Sequence, residues 1–88
     1  MTAYKTKILL NSIAKIRDFS AITAKYDADF DIRSGRCVID GKSIMGMLTL
    51  DINSPHELLV NKIASENELH SIQSEISVYE VKNGKNMS

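Results

Sequence analysis

The alternation of polar and apolar residues predicts four β-strands. The clearest strand covers residues 27–32, where three aspartates alternate strictly with apolar residues, which gives the strand one packed and one solvated face. Ser34–Gly35 is a turn signal, and residues 36–40 after it form the return strand of a hairpin. Residues 3–10 also alternate, and residues 56–63 form the last strand, with a less regular pattern.

Apolar residues at spacings of three and four predict a first and a last helix. The first covers residues 12–24, and Ser12 or the residue before it can cap its start. The last covers residues 66–79, where Ser65 and Glu68 form a capping box. The expected buried residues are Ile13, Ile16, Phe19 and Ile22 in the first helix, and Leu69, Ile72, Ile76 and Tyr79 in the last.

A short middle helix over residues 43–50 carries more apolar side chains than a small core can bury. Ser43 stands at the N-cap position, where its hydroxyl can accept a hydrogen bond from an amide of the first turn. Ile44, Met47 and Leu48 share one face, and other apolar residues fall outside it. A hydroxyl beside surplus apolar surface is suited to receive a phosphate or to dock a partner.

The resulting order is β-α-β-β-α-β-α, an α+β pattern with helices covering one face of a sheet. We expect residues 1–81 to form one domain and residues 82–88 to form a flexible C-terminal tail, because the tail consists largely of Asn, Gly, Lys and Ser.

Composition narrows the class of protein. The 11 basic and 11 acidic residues give a formal net charge of zero, which argues against a nucleic-acid-binding protein, because such proteins need a concentrated basic face. No apolar run approaches the ~20 residues of a membrane span, and no signal peptide is visible. With Cys37 as the only cysteine, these features predict a cytoplasmic protein.

Few residues are candidates for catalysis, metal binding or modification. The three aspartates of the 27–32 strand share a face, but a hard cation needs six or more oxygens from converging directions, so a solvated strand face is the favoured interpretation. We expect surface roles for His56 and His70, and a small structural thiol at Cys37. The sequence therefore predicts no catalytic residue, no metal and no cofactor. For Ser43 alone, residue chemistry leaves open a plain helix cap or a phosphorylation site, and favours the cap.

Two segments resemble a known family. Lys25-Tyr26-Asp27-Ala28-Asp29, followed by Lys42-Ser43-Ile44-Met45-Gly46, is similar to HPr, the histidine-containing phosphocarrier family of the bacterial phosphoenolpyruvate:sugar phosphotransferase system. The chain length and element order also fit. The resemblance implies an HPr-like open-faced β-sandwich, in which three helices cover one side of a four-stranded antiparallel sheet.

The resemblance also implies a site. Ser43 matches the serine that an ATP-dependent HPr kinase phosphorylates in Gram-positive relatives. The apolar residues after that serine dock partner proteins there, which implies docking roles for Ile44, Met45, Met47 and Leu48. The implied partners are proteins, such as HPr kinase or a transcriptional regulator, without direct nucleic-acid binding or membrane insertion. The oligomeric state is left open.

The chain departs from the family at the active loop before the first helix. No histidine and no proline precede residue 55. Ungapped counting places Ser12 where the family has its histidine, and Arg17 is not securely the family's arginine, so both are degenerate active-loop positions. Because a serine ester holds phosphate more stably than an imidazole, we expect that histidine phosphocarrier activity is lost and that the protein is a regulatory or protein-binding module.

Two alternatives remain from the sequence. One is a working phosphocarrier in sugar transport that uses His56 or His70. The other is a purely structural fold in which Ser43 is never modified.

Overall fold

A computed structural model describes residues 2–81. The elements, in chain order, are β1 (Thr2–Ile8), α1 (Ile13–Thr23), β2 (Asp29–Ser34), β3 (Cys37–Asp40), α2 (Ile44–Met47), β4 (His56–Ile63) and α3 (Glu66–Ile76), which a 3-10 turn (Ser77–Tyr79) follows. The predicted order β-α-β-β-α-β-α is confirmed, with boundaries that agree to within three residues. The tail predicted at residues 82–88 lies outside the described residues.

The four strands form one open antiparallel sheet in the order β1-β4-β2-β3. One face of the sheet carries the buried side chains, including Phe30 and Ile32 of β2 and Leu58 and Val60 of β4. Alternate residues on the other face are exposed or half-buried, as a sheet with one solvated face requires. The α+β fold with a four-stranded antiparallel sheet and three helices is therefore confirmed.

Every element except β3 contributes buried side chains to a single apolar core, against which the half-buried Ile39 of β3 packs. The Phe19 ring of α1 meets the Tyr79 ring edge-on, with centroids 5.4 Å apart and planes at 90°, a favoured aromatic geometry. The core consists of Ile8, Leu10, Ile16, Phe19, Ala28, Phe30, Ile32, Met47, Leu50, Leu58, Val60, Ile63, Ile72, Ile76 and Tyr79.

A β-bulge in β4 explains its irregular pattern. Strict alternation after Val60 would point Lys62 into the core. Instead, the register with β1 shifts between Thr2 and Tyr4, and Lys62 adopts a left-handed conformation with φ 63°. The extra residue turns Lys62 outward and places Ile63 in the core at 2% exposure.

Residues 79–81 cover part of the edge of β1. The Leu9 amide donates to the Tyr79 carbonyl at 2.9 Å, and the Val81 amide donates to the Lys7 carbonyl at 3.0 Å. The Tyr4 hydroxyl also donates to the Glu80 carboxylate. This edge therefore has both backbone partners and flanking lysines, two features that protect a sheet edge from pairing with other chains.

Candidate functional site

The Ser43 segment forms a capped turn of helix, as the sequence predicted. Ser43 has an extended backbone (φ −101°, ψ 111°), and its hydroxyl accepts a hydrogen bond from the Gly46 amide at 3.1 Å. Before it, the Lys42 amide donates to the Asp40 carboxylate at 2.9 Å, and the Ser43 amide donates to the Asp40 carbonyl at 3.0 Å. The Ser43 side chain is partly exposed, so the hydroxyl combines a structural role with access to solvent.

The helix after Ser43 is shorter than predicted and buries one side chain. α2 ends at Met47 rather than continuing to residue 50, and the Thr49 and Leu50 amides close i→i+3 bonds to Gly46 and Met47 at 3.1 Å each. Met47 is 0% exposed and belongs to the core. The expected docking role of Met47 is therefore corrected, because a buried side chain cannot contact a partner.

The other three predicted docking residues are on the surface. Ile44 is 38% exposed, Met45 77% and Leu48 45%. Of the three residues expected to share one helix face, Ile44, Met47 and Leu48, only Met47 is buried. Three large apolar side chains within five residues thus remain accessible beside Ser43.

Side chains of α1 hold the start of α2 in place. The Ser20 hydroxyl donates to the Lys42 carbonyl at 3.1 Å, and the buried Thr23 hydroxyl is within 2.9 Å of the Gly41 carbonyl and 3.1 Å of the Ser20 carbonyl. These bonds give hydrogen-bond partners to carbonyls of the turn, as buried polar groups require. The Ser43 hydroxyl is therefore positioned by α1 as well as by its own short helix.

Sequence reasoning missed Ser20 and Thr23, because it took the buried face of α1 to be apolar. The buried residues are Ile16, Phe19, Ser20 and Thr23, whereas Ile13 is 61% exposed. The signal was present, since offsets of 0, 3, 4 and 7 define one helix face better than steps of three.

Gly41 fits closely where the turn meets the sheet. Its amide donates to the Phe30 carbonyl at 2.7 Å, and a Cβ at this position would lie 3.0 Å from the Phe30 Cβ and 3.1 Å from its carbonyl oxygen. A larger residue would be crowded against Phe30, whose backbone would have to shift slightly just before Ser43.

Lys42 is engaged away from Ser43. Its ammonium group donates to the Tyr26 carbonyl at 2.6 Å. The Tyr26 hydroxyl in turn donates to the Glu75 carboxylate at 2.8 Å, and Lys25 donates to the same carboxylate at 2.6 Å. Burial, together with the Glu75 carboxylate, raises the pKa of Tyr26 to about 12, and the bonds from Lys25 and Tyr26 lower the pKa of Glu75. This network ties the Ser43 turn to α3.

The degenerate active-loop positions have different environments. Ser12 caps α1: its hydroxyl accepts from the Lys15 amide at 3.1 Å, and its carbonyl accepts from the Ile16 amide at 3.1 Å. Arg17 is exposed on α1. Ser12 thus occupies the Lys15 amide in the first turn of α1.

The two histidines lie away from the start of α1 along the chain. His56, expected on the surface, is only 9% exposed, because it opens β4 with its ring against the loop before it; Nε2 is 3.0 Å from the Asp51 carbonyl, to which it donates. Bonds from the Asn53 amide and the Ser54 hydroxyl lower the pKa of the Asp51 carboxyl. His70 is exposed on α3.

The remaining candidates are dispersed. Asp29 forms an ion pair with Lys62 at 3.6 Å. Among residues 2–81, no group of three or more His, Cys, Asp or Glu side chains is arranged to hold a metal ion. Cys37, expected to be structural, is exposed, because it adjoins the hairpin turn. Of the helices in this same range, none is long and apolar enough to cross a membrane.

Comparison with known proteins found no match for the chain, either among protein families or among curated proteins.

Proposed function

We propose that this chain is a regulatory protein-binding module, related to the HPr family, that docks partner proteins through Ile44, Met45 and Leu48 and is controlled by phosphorylation of Ser43. The observation that supports it most is the exposure of three large apolar side chains beside an accessible serine hydroxyl. Such exposed apolar groups in a small domain are typical of an interaction surface. The proposal places the protein in the cytoplasm, with the phosphotransferase system.

A phosphate on Ser43 would act directly on that surface. It would add a charge of about −1.5 to −2 beside the apolar residues. Lys42 is bonded to Tyr26, and the Asp40 carboxylate lies in the same turn. The added charge is therefore left for a partner to neutralise, which favours a partner that offers arginine and disfavours a purely apolar one.

The environment of Ser12 supports the loss of phosphocarrier activity. Its hydroxyl caps α1, and a serine ester does not release phosphate as readily as a phosphoimidazole. His56 is buried and bonded to a backbone carbonyl, which does not suit a group that must reach Enzyme I of the phosphotransferase system.

Phosphorylation is tested with HPr kinase and ATP, followed by intact-mass measurement. We expect a mass gain of one phosphate that disappears in Ser43→Ala. Ser12→Ala is the matched control, because Ser12 makes the same capping bond at the same 3.1 Å, and it should be phosphorylated normally. An unchanged mass, or a gain that persists in Ser43→Ala, contradicts the assignment of Ser43.

Docking is tested in the same reaction with surface variants. Met45→Asp should lower kcat/KM for phosphorylation by about tenfold, as expected for loss of an interface anchor. Val78→Asp is the control, because Val78 is 75% exposed against 77% for Met45 but lies in the turn after α3. Equal effects of the two substitutions would show that α2 is not part of the docking surface.

Phosphocarrier activity is tested with phosphoenolpyruvate and Enzyme I. We expect no labelling of the protein. An acid-labile label that His70→Ala abolishes would establish the alternative, a phosphocarrier that uses a non-standard histidine.

A further inference from the structure

The β3 strand forms an edge of the sheet, and no strand among residues 2–81 pairs with its outer side. It carries exposed Cys37 and Val38, the latter 61% exposed. Neither lysine nor proline interrupts residues 36–40. The β1 edge, by comparison, has lysines and is partly paired by residues 79–81. β3 therefore lacks the lysines and the covering segment that protect β1, and its protection rests on its length of four residues and on Asp40.

The alternation of hydrogen-bonded and non-bonded residue pairs between β2 and β3 determines which backbone groups of β3 face outward. Gly35, with φ 63°, occupies the first central position of a two-residue hairpin turn, as a type II′ turn requires. Hydrogen-bonded and non-bonded pairs alternate along antiparallel strands, and Gly41 bonds to Phe30. Cys37 and Ile39 therefore bond to β2, whereas the N–H and C=O groups of Val38 and the N–H of Asp40 point away from the sheet.

The charges along this edge complement a second copy of the same strand. Arg36 is positive at one end and Asp40 is negative at the other. Antiparallel self-pairing centred on Val38 brings Arg36, the turn residue before β3, of each copy opposite Asp40 of the other. A two-fold axis through Val38 thus creates both charge pairs at once.

Within the part of the chain that the structure describes, these charges have no ionic partners. Within residues 2–81, the ion pairs involve Lys5, Lys25 and Lys62 with their acidic partners, and neither Arg36 nor Asp40 takes part. Asp40 also lies directly opposite Asp31 in the β2–β3 register, and like charges in that position are destabilising. A second copy would bring a guanidinium group to this acidic pair.

We infer that β3 is an interface between two copies of this chain, which pair antiparallel about Val38 and join two four-stranded sheets into one. Val38 of each copy exchanges two hydrogen bonds with Val38 of the other, and each Asp40 amide donates to the opposite Arg36 carbonyl. The Asp40 carbonyl already accepts from the Ser43 amide, so the pairing is short and the dimer forms reversibly. This interface is separate from the docking surface on α2.

The native cysteine supplies the test. In this register the two Cys37 residues are diagonal neighbours on one face, with Cα atoms about 7–8 Å apart. That separation suits a short bismaleimide cross-linker and is too long for an unstrained disulfide. Sedimentation velocity over increasing protein concentration should show a monomer–dimer equilibrium, and the cross-linker should trap the dimer through Cys37.

Two substitutions distinguish a dimer in this register from cross-linking of monomers that collide at random. Val38→Pro removes an outward N–H but keeps the bonds between β2 and β3, and we expect it to abolish cross-linking while circular dichroism stays unchanged. Arg36→Asp makes both charge pairs repulsive and should lower the dimer association constant at least about fivefold. Lys15→Asp, with the same change in net charge on exposed α1, should have no effect.

The inference is overturned if sedimentation shows only monomer, or if Val38→Pro and Arg36→Asp cross-link as well as the native chain. A dimer that survives both substitutions uses another surface. A folded Arg36→Asp protein gives the answer by itself if Val38→Pro does not fold.

Discussion

The starts of α1 and α2 are chemically alike but are stabilised differently. Ser12 and Ser43 both have extended backbones, and each hydroxyl accepts a hydrogen bond at 3.1 Å from the amide three residues later. However, Ser12 begins an 11-residue helix and Ser43 begins one of four residues. A four-residue helix is far too short to be stable alone, so α2 must be held by the rest of the molecule.

Tertiary contacts supply what the length of α2 does not. Met47 anchors it in the core, and Ser20 and Thr23 bond the turn in front of it. The exposed side chains beside Ser43 are thus presented by a segment whose conformation α1 imposes. The comparison shows that the same capping residue is local reinforcement in one helix and part of a tertiary assembly in the other.

The largest effect should come from removing the anchor of α2. Met47→Ala deletes a fully buried side chain and should lower the free energy of unfolding by about 2–5 kcal/mol, measured by urea denaturation. Met45→Ala, at a site 77% exposed, should stay within about 0.5 kcal/mol of the native value. Equal losses at the two sites would mean that α2 is not held through Met47.

The next effect concerns the bond from α1 to the turn. Thr23→Val keeps the shape of the side chain but leaves the Gly41 carbonyl without its hydroxyl partner, which should cost about 1–3 kcal/mol. Thr49→Val removes an exposed hydroxyl that donates to the Gly46 carbonyl at 2.7 Å and should cost less. Urea denaturation of both variants, together with amide exchange of α2 followed by NMR, tests whether Thr23 contributes more to the free energy of unfolding than Thr49.

Removing each cap in turn compares the two helix starts directly. Ser12→Ala and Ser43→Ala should each cost about 1 kcal/mol. The local response should differ, because α2 has no further turns to retain its structure. Amide exchange should accelerate throughout residues 44–47 in Ser43→Ala, but only in the first turn of α1 in Ser12→Ala. Acceleration that spreads past the first turn of α1 in Ser12→Ala would contradict the view that the cap only reinforces that helix locally.

The smallest effect is a pH dependence from the network behind Lys42. The folded pKa of Tyr26 is raised to about 12 from 10.0, so its contribution to stability is present below pH 10 and is lost as the pH rises towards 12. The Glu75 pKa is lowered, so its contribution is present above the ordinary glutamate pKa and declines as the pH falls below it.

Tyr26→Phe separates these two contributions. It should remove the tyrosine part of the alkaline loss while the acid limb, which depends first on the bond from Lys25 to Glu75, persists. Thermal unfolding followed across the pH range measures both limbs. An unchanged alkaline limb in Tyr26→Phe would show that Tyr26 stays neutral for another reason.

Local sequence signals determined the elements and the caps. The alternation in β2 and the stripe of α3 needed no long-range information, because period two and period 3.6 each follow from backbone geometry. Ser12, Ser43 and Ser65 were recognisable as N-caps, since a cap depends only on the residues of the first turn. The order of elements then limited the fold to an α+β sheet covered by helices.

Tertiary structure alone decided which apolar residues of the candidate site are accessible. Ile13 and Met47 occupy similar positions in their sequence patterns, yet Ile13 is 61% exposed and Met47 is 0% exposed. The burial of Ser20 and Thr23, the bulge at Lys62 and the ring of His56 likewise depend on neighbours distant in sequence. Periodicity defines a face of an element, but only the packing of that element against others determines how much of the face is covered.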